Sequence, residues 1–391
     1  MQAYNNLQHN KERIDSLQVL RGCAAIMVLL YHIRGYLIII GNNNDTVFRI
    51  FTEFFSRGAF AFFSLSGFFM PITIGKKTKD FALRKFLRLH IPFLFSAITV
   101  MLVKYLLFSG NGMTSLQIIK ALSLLPFGST PYFLNVEWTL IYEMFFICLC
   151  SVLVNIQKEK YYYVFCFIWL GIILTYNILL SGRSEFLPTF GSIFTSFYNI
   201  FFIFGSFAYF LYDRIKLKSK VAIYASLILS ISLIYFIEYY SKDNFLLANY
   251  KIYIFMILIG LIVFLVAQIK IQNYTKIVKL LIELGNCSYG IYLIHVPVIS
   301  IFFVMLQDRF GIRLNSFIAI IVGIFALVVG CYFGKKDMLY QKLLKKILAN
   351  NTNRWLVKGA LACRILMLLV VLTVAYQTLI NFYNNVMFLN K

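Results

Sequence analysis

Ionisable residues that could do chemistry lie in long apolar stretches of this sequence, and the set expected to be buried is Arg21, His32, Glu143 and His295. An ionisable side chain deep in an apolar helix is costly unless it is partnered or neutralised, and it usually marks a functional site. Neutral histidine accepts a proton near neutral pH, a carboxylate stabilises the resulting cation, and arginine binds anions. The residue types therefore predict a proton-transfer step beside an anion-binding site.

The spacing of Arg21 and His32 adds a direction to this site. The two residues are eleven positions apart, which is within about 20° of three full helical turns, so they share one helix face about 16 Å apart. A substrate that fits this line is elongated, with an anionic head and a reactive far end. Coenzyme A thioesters have that shape, because their phosphates and their thioester lie at opposite ends of a long arm.

A second basic pair follows further along the chain. Arg84 and Arg88 are four residues apart, so they are expected to lie on one helix face. Paired arginines suit phosphate binding, and with Arg21 they are the predicted donor-binding residues. The alternative is a basic segment that only anchors the chain to the membrane surface.

The elements that carry these residues are membrane helices. Of 391 residues, 61% are hydrophobic and only 13% are charged, and the mean hydropathy is +0.79. This composition excludes a soluble globular enzyme. The seven cysteines lie in or beside apolar stretches without a CxxC pair, so we expect small buried side chains, no metal site and no tightly bound cofactor.

Eleven stretches are long and apolar enough to span a bilayer, which predicts an all-α, polytopic membrane helix bundle. No separate soluble domain or solenoid repeat is evident. The predicted spans are 17–40, 58–74, 91–108, 132–154, 161–180, 190–212, 221–237, 251–269, 285–306, 315–334 and 365–381.

The loop charges give an orientation. With the N-terminus in the cytoplasm, inside segments hold 25 of the 37 lysines and arginines and outside segments hold 8. This bias predicts a multi-pass protein of the inner (plasma) membrane with a cytoplasmic N-terminus. It also accounts for the net charge of +22 through topology and anionic lipids, with no nucleic-acid partner. Residues 336–348 put apolar side chains against a lysine-rich face, which is typical of an interfacial helix.

Five sequence blocks resemble the integral-membrane acyltransferase-3 family, the O-acetyltransferases of cell-surface sugars. The first block contains an arginine and a histidine separated by ten residues, as in the family. The other four resemble the family's Gly-x-x-x-Phe-Phe, Arg-x-x-x-Arg, Trp-x-Leu-x-x-Glu and Ser-Tyr-x-x-Tyr-Leu-x-His patterns. In family order, the blocks are 17–32, 58–70, 84–92, 138–146 and 287–295.

The resemblance implies a ten-helix acyltransferase core over 1–334. A cytoplasmic basic amphipathic segment (335–364) and an eleventh transmembrane helix with a short outer tail (365–391) follow it. The implied donor is acyl-CoA, expected to be acetyl-CoA, on the cytoplasmic side. The implied acceptor is a hydroxyl of an extracytoplasmic or lipid-linked glycan, such as lipopolysaccharide O-antigen or an exopolysaccharide. Two positions depart from the family pattern. Asp15 stands six residues before Arg21, whereas the family start is Asp-Gly-Leu-Arg, so the resemblance does not assign it a role. Phe60 and Ala61 stand where an acid often precedes Phe-Phe, so no carboxylate role transfers there.

Roles follow for the buried set. His32 is the predicted general base, and Glu143 is the carboxylate predicted to orient it. His295 is predicted either to exchange a proton or to bind the acceptor substrate. Each residue has a purely structural alternative: helix packing for the histidines, and for Glu143 an ion pair with Arg21 or Arg34. Ser66 and Ser288 are predicted to be close-packing residues. Direct transfer in a ternary complex is expected, with a covalent acyl-enzyme relay left open.

Two other functions compete with this prediction. A non-enzymatic transporter or flippase suits the spans and buried charges, but it predicts inverted repeats that the sequence does not show. A transferase of a longer acyl group, such as succinyl, would differ from an acetyltransferase only in the size of the pocket around the thioester end of the donor.

Overall fold

The computed structural model describes most of the chain. Three predicted features fall outside the described residues, namely the polar N-terminal residues 1–13, residues 76–80 of the basic loop and residues 350–353. The described ranges are 14–41, 47–75, 81–108, 112–154, 159–179, 186–241, 245–349 and 354–389.

The described residues form helices joined by short loops, with a single isolated bridge between Phe127 and Thr189 as the extended pairing among them. In chain order the helices are α1 (Asp15–Ile39), α2 (Glu53–Ser56), α3 (Gly58–Gly75), α4 (Phe81–Phe108), α5 (Ser115–Ser123), α6 (Glu137–Val154), α7 (Glu159–Leu179), α8 (Tyr198–Arg214), α9 (Lys220–Tyr240), α10 (Phe245–Gln268), α11 (Lys276–Val304), α12 (Ser316–Ala349) and α13 (Arg354–Leu389).

Nine helical stretches of the described chain are long and apolar enough to cross a membrane. The predicted all-α, polytopic membrane bundle is therefore confirmed, although this number is lower than the eleven spans predicted. The nine stretches are Asp15–Ile39, Glu53–Ile74, Phe81–Phe108, Tyr161–Leu179, Lys220–Tyr240, Tyr250–Gln268, Lys276–Arg309, Ser316–Leu348 and Lys358–Phe382.

The other two predicted spans correspond to α6 and α8, with 18 and 17 residues. Before α6, the Glu137 carboxylate accepts hydrogen bonds from the backbone N–H groups of Leu134 and Val136, at 2.7 and 3.0 Å. Before α8, Asn199 donates from its side-chain amide to the carbonyl of Ile193. Side-chain bonds to the backbone compete with helical bonds, so both helices begin several residues later than hydropathy predicts.

Two other helices are longer than predicted. α4 begins at Phe81 and continues through Pro92, so Arg84 and Arg88 belong to the same helix as the third span. A proline inside a membrane helix is tolerated because neighbouring groups satisfy the freed carbonyl. α12 runs to Ala349, so the basic segment 336–348 continues the tenth predicted span without a break.

Close packing places the helices that carry the candidate residues. α11 lies between α1 and α12, and α3 packs against α8. A Cβ atom on Gly285 would collide with the carbonyl of Gln18, and one on Gly67 with the carbonyl of Phe202. Small residues at these crossings let the backbones approach. The α1–α11 contact brings the helices of Arg21, His32 and His295 together.

A buried carboxylate forms ion pairs with two cations from neighbouring segments. Glu238 on α9 binds Arg57 at 2.6 Å and Lys251 on α10 at 2.8 Å. Both cations are partly buried, so Lys251 inside the eighth predicted span has a counter-charge. Arg57 also acts electrostatically on Tyr31, whose ring lies 5.4 Å from that of His32.

Candidate functional site

A cavity of about 620 Å³ opens inside the bundle. Helices α1, α3, α4, α6, α11 and α12 contribute its wall. Its size lies within the range of small-molecule sites, and its wall combines apolar side chains with a limited number of polar groups. The cavity therefore has the character of a substrate site.

One end of the cavity is positively charged. Arg21 from α1, Lys85 and Arg88 from α4, and Lys342 from α12 all line it, and we call these four residues the cationic end. They lie near the N-termini of α1 and α4 and the C-terminus of α12, on one side of the bundle. Arg88 is exposed, so this end is accessible from outside the bundle. Four cations around one opening favour a ligand with several negative charges.

Arg84 lies outside this wall, although the sequence predicts that it shares a face with Arg88. Lys85, Arg88 and Leu89 line the cavity and span about 100° of the helix surface. Arg84 falls about 40° beyond Arg88 at the edge of that arc. Its Nε atom is buried and makes no hydrogen bond among the described residues. The structure thus places Lys85, rather than Arg84, beside Arg88.

The opposite end of the cavity leads to two histidines. The hydroxyl groups of Thr139 and Tyr292, both on the wall, are 2.7 Å apart. The ring of Tyr292 lies 5.7 Å from that of His295, which in turn lies 5.1 Å from the ring of His32. We call Thr139, Tyr292, His295 and His32 the histidine end. The two histidines therefore lie directly behind a wall residue.

The hydrogen bond of His295 fixes its tautomer. Its Nδ1 donates to the carbonyl of Ile291 at 3.0 Å, because a carbonyl can only accept. Nε2 then carries a lone pair. Nε2 of His295 and Nδ1 of His32 are both buried, and neither has a hydrogen-bond partner in the part of the chain that the structure describes. Unsatisfied buried polar atoms are rare and costly, and such a pair suits a site that receives a substrate.

Glu143 lies on the cavity wall but does not contact His32. Its Oε1 accepts a hydrogen bond of 2.9 Å from Ser66, and its charge acts on Lys85. Among the described residues, the side chain packed against His32 from α11 is His295 instead. The pairing of Glu143 with His32 that the sequence suggests is therefore absent, and Glu143 belongs to the middle of the cavity.

Sequence reasoning missed several wall residues. Ser66 and Ser288, expected to be packing residues, both line the cavity. Lys85 was hidden in a basic run, and Asp337 in an amphipathic segment interpreted only as a membrane contact. Tyr292 was part of a recognised block, but nothing in the sequence indicates that it joins the cavity to His295. Among the described residues no three histidine, cysteine or acidic side chains are grouped to hold a metal ion.

The Tyr292–Thr139 hydrogen bond offers a direct test of the histidine end. Replacing Tyr292 with Phe should lower the free energy of unfolding by about 0.6–1.7 kcal/mol, the range for hydrogen bonds between membrane helices. Unfolding of purified protein in mixed micelles measures it. Combining Tyr292→Phe with Thr139→Val should show a coupling of the same size. Strictly additive effects would mean that the two hydroxyls do not interact.

Comparison with known proteins identifies the domain that carries this site. A family model described as an acyltransferase domain, that of the acyltransferase-3 family, matches residues 14–335. No curated protein and no solved structure matches the chain significantly. The match extends over well more than half of the chain and includes every residue of the two ends except Lys342.

Proposed function

Because the chain belongs to the acyltransferase-3 family, we propose that it is an O-acyltransferase that moves an acyl group from acyl-CoA to a hydroxyl of a cell-surface glycan. The chain is a multi-pass membrane protein with an acyltransferase domain. Acetyl is the acyl group that we propose, and lipopolysaccharide O-antigen or an exopolysaccharide is the class of acceptor.

The cationic end supports acyl-CoA as the donor. The phosphates of coenzyme A need several positive charges, and Arg21, Lys85, Arg88 and Lys342 provide them around an accessible opening. The pantetheine arm would follow the cavity past Glu143 and Ser66 towards Tyr292. The distance of about 16 Å along α1 between Arg21 and His32 suits an extended donor of this kind.

The histidine end supports direct transfer to an alcohol. His32 accepts the proton of the acceptor hydroxyl, and the oxygen of that hydroxyl attacks the carbonyl carbon of the thioester. The carbon–sulfur bond then breaks, and the thiolate takes the proton from His32. Thr139 donates to the carbonyl of Val136 at 3.0 Å, so Tyr292 is the donor of the 2.7 Å bond to Thr139. Rotation of the Tyr292 hydroxyl away from Thr139 would offer its proton to the developing oxyanion. His295, packed against His32, positions the ring of the base.

The charge distribution supports an orientation. Lysine and arginine concentrate in loops on the side of the cationic end, which we propose is cytoplasmic, in the inner membrane, with the N-terminus on the same side. The donor would then bind from the cytoplasm, and the glycan would approach the histidine end from the other side. Residues 336–348 lie at the cytoplasmic surface, where anionic lipids are the proposed contact.

A comparison of Arg88→Ala with Arg84→Ala distinguishes a direct contact with the donor's phosphates from the general effect of nearby positive charge. Arg88→Ala should raise the KM for acyl-CoA about tenfold, because a charge-assisted phosphate contact is lost. Arg84→Ala, one turn away but off the cavity wall, should change the KM by less than about threefold, because a charge without a direct phosphate contact contributes little. Steady-state kinetics on purified variants makes the comparison. Equal effects would mean that the cavity wall does not define the donor site.

The observation that carries the proposal is one cavity with cations at one end and a histidine pair behind the other. Mass spectrometry of surface glycans from cells with and without the chain tests it directly. We expect each modified sugar unit to lose the mass of one acetyl group when the chain is removed. A loss of whole glycan without a change in its acylation would favour a flippase, and a larger mass loss per unit would indicate a longer acyl group such as succinyl.

A further inference from the structure

The cationic end contains one acidic side chain that the proposed chemistry does not use. Asp337 lines the cavity together with Arg21, Arg88 and Lys342. Both arginines act electrostatically on the Asp337 carboxylate. A carboxylate among phosphate-binding arginines opposes the binding of a polyanionic donor, so its presence needs a physical reason.

Asp337 is held in this position by a specific set of contacts. Gln341, one turn further along α12, donates to Oδ1 of Asp337 at 2.9 Å and to the carbonyl of Arg88 at 3.3 Å. Tyr340 donates to the carbonyl of Leu87 at 3.2 Å. The end of α12 is thereby fastened to α4 beside Arg88. These residues lie beyond residue 335, where the match to the acyltransferase domain ends.

The charges around Asp337 come from every helix that packs there. α1 contributes Arg21, α4 contributes Lys85 and Arg88, and α12 contributes Lys342, while α11 contributes the neutral Asn286 to the same wall. Glu283 of α11 is paired with Lys335 at 3.1 Å on the exposed surface, and it is not part of the wall. Glu143 of α6 also lines the cavity and its charge acts on Lys85, whereas Asp337 is the carboxylate that acts with both Arg21 and Arg88.

We propose that Asp337 is an internal counter-anion whose charge lowers the positive potential at Arg21 and Arg88 and so opposes the binding of the donor's phosphates there. The inference rests on the proposed acyl-CoA donor and extends it to the control of donor affinity. Before binding, the negative charge of Asp337 reduces the repulsion among the cations that line the opening. After transfer, free coenzyme A carries the same phosphates, and the Asp337 charge weakens its binding and promotes its release. Asp337 is thus an affinity-setting residue, distinct from the groups that react.

The test is the affinity of isosteric Asp337→Asn for three ligands, measured by calorimetry on purified protein in detergent. Coenzyme A and dephospho-CoA carry phosphates, whereas pantetheine carries none and reports whether the cavity is intact. We expect Asp337→Asn to bind coenzyme A and dephospho-CoA about three- to tenfold more tightly, because the variant lacks one negative charge that repels the phosphates through partly hydrated space. Pantetheine affinity should not change. The control Glu283→Gln removes the same charge from the same side of the bundle and should leave all three affinities unchanged.

Unchanged or weaker binding of coenzyme A by Asp337→Asn, with normal pantetheine binding, would overturn the role of Asp337. An equal gain in Glu283→Gln would also overturn it, because the effect would then be general surface charge. A parent protein that is folded but binds none of the three ligands would refute the acyl-CoA donor itself. Failure of the proposed function is therefore distinguishable from failure of the Asp337 role alone.

Discussion

Replacing His32 with Ala is expected to abolish acyl transfer while the chain still inserts, folds and binds acyl-CoA. Loss of a general base costs about 10²–10⁴-fold in rate. His32 lies behind the cavity wall against His295, whereas the predicted phosphate contacts lie at the other end of the cavity. Glycan acylation, divided by the amount of folded protein, measures the effect.

His90 provides a matched control for this substitution. It is also a buried histidine on a spanning helix, but its ring stacks on Phe86 at 4.8 Å and is not on the cavity wall. His90→Ala should lower stability and leave the rate per folded molecule nearly unchanged. A well-folded His32→Ala protein that retains more than about a tenth of the parental rate would exclude His32 as the base, and His295 would become the next candidate.

Replacing Arg21 with Ala is expected to raise the KM for acyl-CoA by about one to two decades, because a charge-assisted hydrogen bond to phosphate is worth roughly 1.5–3 kcal/mol. Acceptor use should change much less, since Arg21 lies at the opposite end of the cavity from the histidine pair. Binding of acyl-CoA to purified variant, together with kinetics at varied acceptor concentration, measures both quantities.

Arg214 is the control for the charge removed at Arg21. It lies at the end of α8, its guanidinium is over the ring of Phe210 at 3.7 Å, and it does not line the cavity. Arg214→Ala should leave acyl-CoA affinity within about threefold of the parent, as for a surface charge. An Arg21→Ala protein with parental affinity for acyl-CoA would remove Arg21 from the donor site.

Hydropathy predicts the membrane bundle well because burial in lipid imposes long apolar helices on the sequence. It predicts helix ends poorly where side chains compete with helical hydrogen bonds. Glu137 caps α6 and delays it, whereas Pro92 does not interrupt α4. Both outcomes depend on tertiary neighbours that a linear pattern does not contain.

The site was predictable where two residues share one helix. In the structure, Arg21 lies at the cationic end of the cavity and His32 lies in the histidine pair, so the predicted helix face joins the two ends. The contacts between different helices were not predictable, because periodicity shows which residues share one helix face but not which helix packs against that face. Arg84 therefore falls just off the wall, Glu143 bonds Ser66 instead of His32, and Asp337 enters the cavity from beyond the recognised blocks.

The proposed function requires this one protein to transfer the acyl group of a cytoplasmic acyl-CoA to a glycan on the other side of the membrane and to release coenzyme A. Inside-out membrane vesicles from cells that produce the chain test it, because isotope-labelled acetyl-CoA does not cross the bilayer and meets only the cytoplasmic face. We expect label in the glycan of these vesicles, and none in right-side-out vesicles or in vesicles that contain His32→Ala. Equal labelling of glycan in vesicles with the parent chain and with His32→Ala would contradict it.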